Sequence, residues 1–329
     1  MCFAKKKQER EEFVEQATQT IATARENIDI WIGQTLFLGC NRLINEYQDI
    51  QSPKITTNAY VLNLDKNRFS SVLCQDNSRV IIKIPGIKSD YIHANYVDIG
   101  MNFRQIICTQ DPLTNTQNEF WAMIIQEKVD KIIMFGGANE EKCAQYWPTL
   151  GTFLRFDGNI IVSNEEVIEE KTQVITKITM KSPIGKHTVM HYQLLDWLDG
   201  EVPTHGVTAT GRVKLFKCEE KNKKPVVVHC ASGVGNTGMM VGVVYIQARL
   251  RNNAPCPRLN EILVTLRTQR AGIVQNELEY LFIHHAILET YFRVLDFYGM
   301  NTSGYDKWED EYYKIQDFSY ETYETYNLF

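Results

Sequence analysis

"VVVHCASGVGNTGMMVG", residues 226–242, opens with an apolar β-branched run, passes through a histidine and a cysteine, and continues into three closely spaced glycines. The run reads as a buried strand, and its glycine-rich continuation as a loop able to bend around an anion before a helix begins near Gly238. Gly233, Gly235 and Gly238 let successive N–H groups turn inward, and a ring of such donors fits a tetrahedral phosphate. Cys230 then lies below the positive end of a helix dipole, a setting that favours thiolate. Taken alone, the same residues also fit a buried structural cysteine beside a tight turn.

With 329 residues, 44% of them hydrophobic, the chain can bury a sizeable core as one large domain or two ordinary ones. A net charge of -5 argues against general affinity for nucleic acid or anionic membranes. The short basic runs Lys5 to Lys7 and Lys221 to Lys224 read as solvated faces. Eight cysteines occur without a C-x-x-C pair, so neither a zinc site nor a disulfide framework is expected, and a reducing cytoplasm or nucleus fits best. The chain starts without a signal-peptide pattern, Cys2 excludes glycine-directed myristoylation, and no apolar run reaches membrane-span length; a soluble protein is the expectation.

Phe13, Val14, Ala17, Ile21, Ala24 and Ile28 step by three or four residues and predict an amphipathic helix from Gln8 to about Ile28. Thr116 and Glu119 have the spacing of a capping box, followed by the apolar Phe120 to Ile125 and then a strand over Lys131 to Phe135. From about Asn159 to Trp197 alternating stretches predict paired antiparallel strands, and helical patterns dominate from Gly238 to about Tyr298. Strands mixed with helices on both sides fit an α/β layer architecture. The acidic end carries Tyr305, Tyr312, Tyr313, Tyr320, Tyr323 and Tyr326, and reads either as a partly helical surface tail or as a tyrosine-kinase target.

"HCASGVGNTG" resembles the signature H-C-x-x-G-x-G-R-[ST]-G of the phosphotyrosine-specific protein tyrosine phosphatases, and companion motifs stand in the same order. "NLDKNRF" (63–69) is similar to their phosphotyrosine-recognition loop, and "DYIHAN" (90–95) and "CTQDPLTNTQNEFWAM" (108–123) to the stretches after it. "KCAQYWP" (142–148), "DWLDGEVP" (196–203) and "QRAGIVQNELEY" (269–280) resemble the lysine-bearing loop, the mobile acid loop and the glutamine loop. The resemblance covers roughly 40–295 and implies a tyrosine-phosphatase-like α/β fold, a central mixed β-sheet flanked by helices. It divides the chain into an N-terminal helical extension (1–39), a phosphatase-like domain (40–298) and an acidic, Tyr-rich tail (299–329).

In that family a cysteine thiolate attacks phosphorus, an aspartic acid protonates the leaving tyrosine oxygen, and water hydrolyses the phosphocysteine. The resemblance puts Cys230 and Asp199 in those roles, Thr237 at the hydroxyl that assists thiolate departure, and Gln275 at the side chain that positions water. Ala231, Ser232, Gly233, Val234, Gly235 and Asn236 match the phosphate-binding loop. Phe69, Lys142 and Gly272 match substrate-binding positions. No metal and no cofactor is implied.

Asn236 stands where the family has arginine. A guanidinium there grips two phosphate oxygens and tightens on them in the transition state, whereas asparagine brings a neutral amide. Its loss predicts a turnover lower by roughly 10³ to 10⁵, by comparison with arginine fingers. Gly137 replaces the glutamate that orients the arginine, and Glu140 and Glu141 could substitute only in another register. Leu198 replaces the proline of W-P-D, Ser71 a substrate-anchoring carboxylate, Asp111 the glycine of T-Q-G-P, and Glu279 the second glutamine. The resulting expectation is a pseudophosphatase, inactive or severely impaired, that binds a phosphotyrosine-containing or other protein partner. The alternative is a slow but genuine phosphatase using Cys230 and Asp199.

Overall fold

The computed structural model describes residues 26–100, 103–136, 145–198, 200–216, 224–297 and 302–327. In chain order the main elements are helix α1 (26–48), α2 (Asn58–Val61), β1 (Arg79–Ile81), β2 (Tyr91–Val97), β3 (Ile106–Gln110), α3 (Gln117–Gln126) and β4 (Lys131–Phe135). Then come β5 (Phe153–Phe156), β6 (Ile160–Glu169), β7 (Gln173–Ser182), β8 (Gly185–Leu194), α4 (Val207–Arg212) and β9 (Val226–Cys230). Helices α5 (Asn236–Arg251), α6 (Leu259–Arg267), α7 (Glu277–Phe297) and α8 (Ser303–Asn327) complete the chain.

The strands form one mixed sheet in the order β1-β2-β3-β9-β4-β8-β7-β6-β5. Strands β3, β9, β4 and β8 run parallel at its centre, and antiparallel meanders extend both edges. The β-branched run 226–228 takes the middle because a central parallel strand is covered on both faces and can be apolar throughout. Val226, Val228 and Cys230 face the larger core with α5 and α7, while Val227 joins Phe120 to Ile125 of α3 on the other face. Period-two alternation therefore sends Cys230 and His229 to opposite sides of the sheet.

The capping box expected at Thr116 is not made. Thr116 Oγ1 accepts from Leu113 N–H at 2.8 Å in a preceding tight turn, and the Glu119 carboxylate is taken by Lys66 Nζ at 2.7 Å. A long-range cation outcompeted the local donor.

Helix α1 runs through residue 39 without a break, and Trp31, Ile32, Cys40 and Leu43 bury into the larger core. The part of the expected amphipathic helix before residue 26 lies outside the described residues. Tyr305, Trp308 and Tyr312 of α8 enter that same core, so the acidic end is no surface tail at these positions. Tyr312 stacks on His285 of α7 at 4.5 Å between centroids, and Trp31 stacks on His284 at 5.1 Å. Burial pushes His284 down to about 3 and His285 to about 4, so both imidazoles pack as neutral rings. The side chains of Tyr320, Tyr323 and Tyr326 lie outside those described. Among the described residues no helix is long and apolar enough to cross a membrane.

Candidate active site

Cys230 sits fully buried at the end of β9, and the chain turns there into α5. Thr237 Oγ1, in the first turn of α5, donates to Cys230 Sγ at 3.4 Å. Ser232 Oγ lies 3.9 Å from the same sulfur and donates to Gln275 Oε1 at 3.4 Å, and Val234 N–H points back to Ser232 Oγ at 3.4 Å. Gly233 has φ +69, and a Cβ there would fall 2.2 Å from Thr109 O. Only glycine lets the loop seat this closely on the end of β3.

Arg270 carries the loop from beneath. Its Nε donates to Gly233 O and its Nη2 to Ser232 O, both at 3.2 Å, while Nη1 donates to Asn95 Oδ1 at 2.7 Å and lies 3.2 Å from His93 Nδ1. Burial and the nearby guanidinium push His93 down to about 3. The neutral ring can then give its Nε2–H to Val72 O at 3.0 Å and offer Nδ1 as an acceptor to Arg270. Burial lowers the Arg270 pKa, yet a guanidinium stays charged in any protein setting. Arg270 lies within the glutamine-loop motif, but nothing in local spacing distinguishes it as the support of this loop.

On the opposite face His229 begins a buried polar chain. Its Nδ1–H donates to the Asp111 carboxylate, its Nε2 meets Tyr146 Oη at 2.7 Å, and Tyr146 Oη meets His191 Nε2 at 2.7 Å. Burial and His229 push His191 down to about 3, so its ring is neutral. Tyr146 Oη thus bridges the two imidazole Nε2 atoms, donating to one and accepting from the other. Asp111, read from sequence as a lost glycine, thus completes a hydrogen-bond chain beside the signature cysteine. Asp111→Ala strands the His229 donor in a dry environment and is expected to cost about 1.5–3 kcal/mol in a urea unfolding titration. A cost below about 0.5 kcal/mol, ordinary for a surface change, would show that His229 does not depend on it.

The acid loop is anchored at its start. Trp197 is buried between Phe135 (4.8 Å) and Phe282 (5.4 Å), and Asp196 pairs with Arg212 of α4. Asn236, only 2% exposed, donates its Nδ2–H to Leu198 O at 2.8 Å. Asn236, which the resemblance sets at the arginine position, therefore spends its amide on the Leu198 backbone. Asp199, Lys142, Gly137, Glu140 and Glu141 lie outside the described residues.

Glu279 has a local cause. Its N–H donates to Asn276 Oδ1 at 2.9 Å, and its carboxylate accepts from the N–H of Gln275, the residue before that cap, at 2.7 Å, so both groups tie down the start of α7. The carboxylate also borders the cleft over Cys230, which has a volume of about 220 Å³. Phe69, Ala231, Ser232, Gly235, Asn236 and Gln275 line it as the motif order implies, and Ser71, Val72, Gly200 and Glu279 join them. The recognition loop is held there because Arg68 N–H donates to Gln110 Oε1 at 2.9 Å, leaving the Phe69 ring 41% exposed at the rim. Gly272 and Val234 line instead an adjoining cleft of about 310 Å³, which shares Ser71, Val72 and Gln275 with the first.

The sequence pattern that defines the family "Protein-tyrosine phosphatase" matches residues 63–289. The chain is 32% identical over 238 residues to the receptor-type tyrosine-protein phosphatase F of Danio rerio and of Homo sapiens, covering 69% of this chain and 12% of each relative. It is 33% identical over 236 residues to the tyrosine-protein phosphatase Lar-like of Caenorhabditis elegans, covering 69% of this chain and 11% of that one. The chain thus spans only about an eighth of the length of these relatives. The fold is similar to the catalytic domain of human protein tyrosine phosphatase non-receptor type 18, with a TM-score of 0.68 and 26% identity, over 76% of this chain and 96% of that one.

Proposed function

We propose, from the premise that this chain belongs to the protein-tyrosine phosphatase family, that it is a pseudophosphatase, binding a segment of a protein partner over the signature loop without efficient turnover. The observation that carries this reading is the Asn236 Nδ2–H bond to Leu198 O, 2.8 Å long. The position that should grip phosphate offers one neutral amide and directs it to the acid loop. The loop's backbone donors and the helix end remain, but they bind ground and transition states alike and do not replace a guanidinium that tightens as charge moves. Cys40, Cys74, Cys108 and Cys256 are free thiols, which supports a reducing cytoplasmic or nuclear setting.

A second reading, slow but genuine hydrolysis, is favoured by one contact. Thr237 Oγ1 still donates to Cys230 Sγ at 3.4 Å, the geometry that would assist thiolate departure. Hydrolysis of an aryl phosphate separates the two, with wild type expected to match Cys230→Ser at background and the slow phosphatase to exceed it.

A further inference from the structure

Among the described residues, the side chains lining the cleft over Cys230 are neutral apart from the carboxyl group of Glu279. Its polar lining is Ser71, Ser232, Asn236, Gln275 and Glu279, and among the described residues no Lys, Arg or His lines it. Gln275 Oε1 and Glu279 Oε1 each lie 2.9 Å from where a Cβ on Gly235 would stand, so two acceptor oxygens converge on the loop. Glu279 is only 6% exposed, and water screens its charge poorly. A phosphate dianion on the loop would meet this carboxylate, and two like charges in one partly buried site oppose each other. The α5 N-terminus attracts an anion, but the Glu279 and Gln275 oxygens face the loop beside it.

A phenol makes the opposite demand. It needs an apolar slot, an aromatic neighbour and one acceptor, which Val72 with Ala231, Phe69, and the Gln275 or Glu279 oxygen supply.

We infer that the cleft takes the unphosphorylated side chain of a tyrosine from a protein partner, its O–H donating to the Glu279 or Gln275 oxygen, and discriminates against phosphotyrosine. This rests on the reading of the site as a binding module and names its ligand.

The test titrates the isotope-labelled full chain with N-acetyl-tyrosinamide, its phosphorylated form and N-acetyl-phenylalaninamide, following amide NMR signals. Tyrosinamide is expected to shift Ser232, Gly235 and Gln275 saturably, with the other two probes each about tenfold weaker, the ratio that one hydrogen bond or charge conflict produces. Glu279→Gln keeps an acceptor for the Gln275 N–H and leaves the Glu279 backbone bond to Asn276 in place, and should raise affinity for the phosphorylated probe about tenfold. Tighter binding of the phosphorylated probe by wild type overturns the inference, and so does the absence of any saturable shift with tyrosinamide. If that tighter-bound probe stays intact, the binding-module reading survives; if it is hydrolysed in a Cys230-dependent way, that reading falls as well.

Discussion

Asn236→Arg combined with Gly137→Glu is expected to raise Cys230-dependent hydrolysis of an aryl phosphate by roughly 10³- to 10⁵-fold, the span that an arginine on a transferring phosphoryl group commands. That corresponds to about 4–7 kcal/mol of barrier. Among the described residues, Cys230 is contacted by Thr237 at 3.4 Å and the loop carbonyls are held by Arg270 at 3.2 Å. Asn236 is 2% exposed, so an arginine must leave the packed position and project into the cleft, where Glu279 would otherwise draw it aside. The resemblance sets residue 137 at the family's arginine-orienting glutamate, so Gly137→Glu is chosen to restore the second partner that a bidentate clamp requires. The single Asn236→Arg change should therefore recover less than the pair. Rescue by neither would assign the loss to other departures, Glu279 foremost.

Arg270→Met is expected to cost at least about 4 kcal/mol of stability, because hydrogen bonds to a charged donor are each worth about 1.5–3 kcal/mol and several are lost together. The methionine preserves much of the apolar stem, so the effect reports the guanidinium rather than a cavity. Ser232 O, Gly233 O, Asn95 Oδ1 and His93 Nδ1 would all lose a donor at a site with no exposure. Unfolding by denaturant should show a lower midpoint with unchanged slope, and the amide signals of residues 232–235 should broaden or vanish. A cost below about 1 kcal/mol, typical of an ordinary substitution, would mean the loop keeps its shape without this support.

The architecture was legible where one segment carries its own instruction. The strand over Lys131–Phe135 has the bounds its apolar run implies, and α5 starts at Asn236, two residues before the position read from the glycines. Backbone can enter a helix before the last glycine, so composition places the turn only approximately. What failed was the choice among partners distant in sequence. Thr116 and Glu119 have capping-box spacing, yet Lys66 takes the carboxylate. Glu279 does tie down the start of α7, through Asn276 Oδ1 and the Gln275 N–H, although it read only as a departure from glutamine. The chain Asp111–His229–Tyr146–His191 gathers four separate stretches, and only the sheet register and the α3-side core bring them together. The acidic end misled because charge and tyrosine dominate its composition, while Tyr305, Trp308 and Tyr312 share one buried side of α8.

The most direct measurement is hydrolysis of an aryl phosphate by the purified chain beside its Cys230→Ser variant, at high protein concentration and mildly acidic pH. Equal rates at background are predicted, since Asn236 gives its amide to Leu198 and, among the described residues, no arginine lines the cleft. Cysteine-dependent turnover within about tenfold of a typical enzyme rate, on the order of 10 per second, would contradict the account and mean that a neighbour of Asn236 performs the arginine's part.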